Sequence, residues 1–140
     1  MSHAARHWLG LMLLAAVAWI HYRDIPGKLG ETPSLGWLYI LLVAGCAAAG
    51  AWLFTERARA GYALGALISL GAIVGYVLTR STGLPGATGD IGNWAEPSGV
   101  FALIVEAAFV GLALSRLRRP GARTATVATS DGAREANRHP

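Results

Sequence analysis

Apolar residues gather into four runs along the chain, Trp8–Tyr22, Leu35–Thr55, Ala60–Thr79 and Gly99–Ser115. Short stretches rich in glycine, proline and charge separate them. Three of the runs hold about 17–21 residues, enough at 1.5 Å per residue to cross a ~30 Å hydrocarbon layer. The first is shorter, and Arg6 and His7 extend it as snorkelling ends. The pattern predicts an all-α integral membrane protein. Its four transmembrane helices fall at about 6–23, 35–55, 60–80 and 97–116, in up-down-up-down order.

A rival reading of the first run is a cleaved signal peptide ending at Ala16-Val17-Ala18. The weakly basic stretch before it, and apolar character that continues through Ile20, favour a retained helix. Aromatic residues stand near the ends of the runs: Trp8 and Tyr22, Trp37 and Tyr39, Trp52 and Phe54, Tyr62 and Tyr76, and Trp94. Amphipathic rings prefer the headgroup level, so these positions are expected to form interfacial belts. The segment "RDIPGKLGETPS" reads as a loop on its turn formers Pro26-Gly27, Gly30 and Pro33-Ser34. "ERAR" leaves room only for a tight hairpin between the second and third helices.

Composition agrees with the runs. The chain of 140 residues is 54% hydrophobic and 14% charged, against about 25% charged in a soluble domain. A net charge of +4 would suggest nucleic acid in a soluble protein, but here its distribution marks topology. Arg6, Arg57, Arg59, Arg116, Arg118, Arg119 and Arg123 fall on one side of the membrane, and Arg23, Lys28 and Arg80 on the other. The positive-inside rule then makes both termini cytoplasmic. The remaining basic character suits anionic headgroups, so the bilayer is the expected partner and nucleic acid is not. From Arg116 to Pro140 apolar periodicity ends, and this basic stretch is expected to be a disordered cytoplasmic tail following a transmembrane domain over 1–115.

Small residues recur at four-residue spacing, most clearly as Gly61-xxx-Gly65-xxx-Ser69 and Gly71-xxx-Gly75 in the third helix. Such faces let backbones approach closely in lipid, where helices have no hydrophobic drive to associate. Two faces are more than one neighbour requires. The second is therefore expected to serve either the bundle itself or a homo-oligomer. The single cysteine, Cys46, excludes an internal disulfide or a CxxC site and reads as a packing residue.

Glu106 is the residue that most invites a functional explanation. It lies near the middle of the fourth run, where a carboxylate costs several kcal/mol unless protonated, paired or wet. Gly99, Ala102, Glu106 and Ala113 share one helical face, which turns the carboxyl inward. Ser69, Tyr76, Arg80 and His21 are candidate partners. His7 and His21 lie fourteen residues apart on one face, a spacing that suits haem ligation. No facing helix offers a second histidine for either, so no cofactor is expected.

Glycines recur at every third position in "RSTGLPGATGDIGNWAEP": Gly83, Gly86, Gly89 and Gly92. The row is too short for collagen and lacks the strand and helix that flank a phosphate loop. It reads as an ordered cap over the bundle mouth, with Asn93 and Glu96 at capping-box spacing before the fourth helix. Asp90, Asn93 and Glu96 offer oxygens but too few for a cation site, so no metal is expected.

With "HYRDIPGKLG", "LTRSTGLPG" and the following Trp94, Glu96 and Pro97, the chain resembles small four-helix membrane proteins of high-GC Gram-positive bacteria over residues 7–115. The resemblance implies a class and a topology, and it groups His21, Arg23, Asp24, Arg80 and Glu106 around one outward-facing pocket. No catalytic grouping stands out. The expectation is a non-enzymatic accessory or structural component of the cell membrane, with other membrane subunits or a second copy as partner. The alternative is a minimal oligomeric transporter or channel that handles protons or cations through Glu106.

Overall fold

The computed structural model describes residues 3–118, which form four helices: α1 (His3–Glu31), α2 (Pro33–Trp52), α3 (Ala58–Ser81) and α4 (Pro97–Leu117). No strand occurs among the described residues. All four helices are long and apolar enough to cross a membrane. They stand in chain order around a ring, each against its two neighbours, and only α1 and α3 touch across the middle.

Contacts at the two ends fix the alternating direction. At one end, here the base, Tyr62 at the start of α3 donates to the Arg6 carbonyl of α1, and Arg59 donates to the Leu117 carbonyl at the end of α4. At the other end, the mouth, Arg80 at the end of α3 bonds Glu96 just before α4. Met1, Ser2 and residues 119–140 lie outside the described residues, and most of the expected basic tail is among them.

The base half is a dry core. Leu14 and Val17 of α1, Cys46 and Ala49 of α2, Leu53 at the C-cap of α2, and Phe109 and Ala113 of α4 are buried around Tyr62. Two small residues of α3 make this packing possible. A Cβ on Gly61 would stand 2.8 Å from the Ala49 carbonyl oxygen, and one on Gly65 would stand 2.5 Å from the Phe109 ring. Tyr62 is thus a core residue and not a belt residue, its ring stacked on Phe109 at 6.2 Å. Burial beneath the α1 start satisfies its hydroxyl. The outside of the bundle is apolar, with Trp8, Met12, Trp19, Trp37, Leu41, Leu67 and Ile104 exposed. An apolar exterior around an apolar core is the arrangement a hydrocarbon solvent requires.

The largest departure from the sequence reading is in α1. The helix continues through the expected loop, past Pro26, Gly27 and Gly30, to Glu31. A proline removes one main-chain bond, and the turns beyond it are held by other means. Lys28 pairs with Glu31 at 3.0 Å, and the Thr32 amide donates to the Lys28 carbonyl. Leu29 packs where Gly36 of α2 has no side chain. Thr32 alone separates α1 from α2, with Pro33 in the first turn of α2, where its missing N–H costs nothing. At 29 residues α1 is about 43 Å long, so its last turns rise above the other helices' apolar length.

Candidate functional site

The two halves of the α2–α3 seam differ. Near the base the helices touch through Gly61 and Ala49, and near the middle Ile68 fills the space beside Gly45. Toward the mouth, Cβ atoms on Gly71 and Gly75 would meet nothing within 4 Å. The second glycine face therefore packs against no other helix among the described residues. It borders a cavity of about 690 Å³ that occupies the mouth half of the bundle. Its apolar wall includes Leu38, Leu41, Leu42, Ile68 and Ala72. Leu38 and Leu41 line the cavity and are also exposed on the outer surface, so the cavity is open laterally, at a gap beside Gly71 and Gly75.

At the closed end of this cavity lie Glu106 and His21, from α4 and α1, on the wall opposite the gap. Glu106 is 1% exposed and its Oε1 is 3.6 Å from His21 Nε2. No hydrogen-bond partner reaches that oxygen. His21 Nδ1 lies 3.0 Å from the Val17 carbonyl, an acceptor, so Nδ1 carries hydrogen. Tyr39 meets the imidazole edge-on at 4.9 Å between ring centres and limits its rotation. Nε2 then faces the carboxyl as a lone pair or as a second N–H. Two bare acceptors at that separation would repel, which favours one proton shared by the pair and a unit that is neutral overall.

Nearer the mouth, Arg80 organises the polar wall. It donates to Glu96 Oε2 at 3.2 Å and to Thr79 Oγ1 at 2.9 Å, and stands 3.9 Å from Asp90. Its guanidinium lies over the Tyr76 ring at 4.1 Å. Lys28 reaches Asp90 at 3.6 Å from the extended end of α1. Asp90 and Glu96 thus converge on cations of the chain, and no group of three or more metal-ligating side chains occurs among the described residues.

The glycine-rich segment covers this wall. Gly83, Gly86 and Gly92 adopt φ of +75°, +77° and +81°, conformations that a side chain disfavours, whereas Gly89 does not. Leu84 and Ala87 exchange main-chain bonds in a tight turn, the Gly92 amide donates to the Arg80 carbonyl, and Thr32 Oγ1 donates to the Gly86 carbonyl at 2.7 Å. The last bond ties the loop to the α1–α2 junction. The α4 cap differs from the expected capping box. Glu96, not Asn93, is the N-cap, and its side chain accepts from the Gly99 amide. A single carboxylate thereby caps the helix and holds Arg80.

Of the five residues grouped by sequence, His21, Asp24, Arg80 and Glu106 line the cavity, and Arg23 does not. Arg23 is exposed on the far side of α1 from the face shared by His21, Asp24 and Lys28. His21, not Arg80, is the ionisable neighbour of Glu106, and Ser69 is buried without a partner for its hydroxyl. Tyr39, Lys28 and the pairing of Glu96 were not anticipated. The spacing of His21, Asp24 and Lys28 at i, i+3 and i+7 carried the signal for Lys28, once α1 is extended past Pro26.

No protein-family model matches the sequence, and no curated protein or solved structure shows detectable similarity to it. The site is read from its own chemistry.

Proposed function

We propose that the chain is a non-enzymatic multi-pass protein of the cell membrane that holds a small guest in a pocket open to the outer side. Both termini are cytoplasmic in this reading, and the loop over residues 82–96 is external, as the arginine distribution favours. The observation that carries it is Glu106. A carboxyl oxygen with no hydrogen-bond partner, at the closed end of a cavity, is costly unless a guest uses it. Below it Phe109, Tyr62 and Leu14 are buried in the packed core, which favours a one-sided receptacle over a pore within a single chain.

Two fusions test the reading: a reporter active only in the cytoplasm, attached at residue 140 and, separately, within the loop at Gly89. Activity at 140 alone supports it. Activity at Gly89 inverts the topology and contradicts an outward pocket. A second reading, proton or cation transport by an oligomer, draws on the same buried carboxyl. Flux into liposomes that is lost in Glu106→Gln would favour it.

A further inference from the structure

We propose that the guest is an amphiphilic monocation, an ammonium head on a hydrocarbon chain, and that it reaches the cavity from the bilayer between α2 and α3. The inference rests on the pocket reading above and adds the chemistry of the occupant and its route.

The charge of the lining decides the sign. Asp24, Asp90, Glu96 and Glu106 line the cavity, with Lys28, Arg80 and His21 as the basic groups. Arg80 is held by Asp90 and Glu96, and Lys28 by Asp90 and Glu31. Asp24 and Glu106 have no lysine or arginine ion partner among the described residues. With the His21–Glu106 pair neutral as a unit, three carboxylates face two cations, and the lining carries one negative charge. That balance does not depend on which member of the pair holds the proton.

Depth and shape decide the rest. Glu106 is 1% exposed and lines the cavity, and its Oε1 has no partner within hydrogen-bond distance among the described residues. Beside a proton shared with His21, the carboxyl keeps lone pairs that can accept from a guest. An ammonium N–H supplies the donor and the charge together. Ala72, Leu42 and Leu41 line the same cavity on the side of Gly71 and Gly75, where added Cβ atoms would meet nothing. That wall is apolar and suits a hydrocarbon chain. A hydrophilic cation would leave it unused, and an anion would meet the net negative charge of the lining.

Matched probes of opposite sign test the proposal. The purified full chain in phosphatidylcholine nanodiscs is titrated calorimetrically with decylammonium and with decanoate, and the heats of empty nanodiscs are subtracted. Decylammonium is expected to bind saturably at one site per chain, and decanoate to show no saturable heat. Glu106→Gln and Asp24→Asn should each weaken decylammonium by about tenfold or more, the effect of removing one charge-assisted contact. Gly75→Leu, which fills the gap at a position where a Cβ meets nothing, should weaken it without loss of helicity. Equal binding of decanoate, absence of a saturable decylammonium signal, or wild-type affinity in all three variants overturns the proposal. Insertion and topology are read separately by the fusions, so a correctly inserted chain that fails to bind removes this inference and leaves the pocket reading standing.

Discussion

His21 Nε2 and Glu106 Oε1 face each other at 3.6 Å across the closed end of the cavity, one from α1 and one from α4. The distance is beyond a hydrogen bond and within an ion pair, and the carboxyl oxygen has no other partner. A group built only to hold helices together would be expected to have its hydrogen bonds made. In the proposed reading, an unmade one at the end of a cavity is a site kept ready at some expense of stability.

That difference can be measured at Glu106. Leu in its place removes the acceptor that finds no hydrogen-bond partner and leaves His21 neutral, its Nδ1 still bonded to the Val17 carbonyl, so no buried charge is stranded. Glu106→Leu is therefore expected to leave thermal stability in detergent within about 1 kcal/mol of wild type, or to raise it. A loss of several kcal/mol would make Glu106 a structural carboxyl.

The two glycine faces of α3 should respond oppositely to alanine. A Cβ at Gly61 would press on the Ala49 carbonyl, backbone that cannot swing aside, so Gly61→Ala should cost about 1–3 kcal/mol. At Gly71 nothing lies within 4 Å, and the gain in helix propensity should stabilise by up to about 1 kcal/mol. Thermal unfolding of the two variants in one detergent checks the contrast. Equal destabilisation would mean that the second face is packed in the assembled protein.

In the glycine row, only those residues with positive φ should resist substitution. Gly86→Ala places a side chain at φ +77° and should cost about 1–2 kcal/mol, while Gly89→Ala should have no measurable effect. Hydrogen exchange across residues 83–92 reads the difference as faster opening in the first variant alone.

Arg80→Ala removes the cation on which Asp90 and Glu96 converge. The loop should then open more readily, with amide exchange at residues 83–92 faster by about tenfold, while the helices of the base half keep their protection. Uniformly faster exchange over the whole bundle would assign Arg80 to global stability instead.

The four helices and the inward turn of Glu106 were legible because both follow from periodicity. Unbroken apolar length marks a span, and Gly99, Ala102 and Ala113 mark the face that Glu106 shares. The extension of α1 was hidden because Pro26, Gly27 and Gly30 signal a turn locally. Contacts of Lys28 and Thr32 with Asp90 and Gly86, distant in sequence, and of Leu29 with Gly36 across the α1–α2 junction override that signal. With α1 ended near Arg23, periodicity does not carry Lys28 to the cavity, and Arg23 is grouped there only by the resemblance, whereas the lining holds Asp24 and Lys28. The cap of α4 was misread for a related reason. Asn93 and Glu96 have capping-box spacing, but Pro97 at the first helical position makes Glu96 the residue before the helix.

The central claim is that the cavity opens to one side and ends at Glu106. Its most direct measurement is a series of single cysteines along the inward face of α4, at Ser98, Ala102 and Ala113, in a Cys46→Ala background. Each is treated in intact cells and in inverted vesicles with a membrane-impermeant thiol reagent. The cavity reaches Ser98 and Ala102, whereas Ala113 is fully buried in the core beyond Phe109. Labelling at Ser98 and Ala102 from outside only, with Ala113 unlabelled from either side, is the predicted result. Labelling of Ala113 from outside would reveal a continuous pore, and labelling of Ala102 only in inverted vesicles would turn the pocket inward; either contradicts the account.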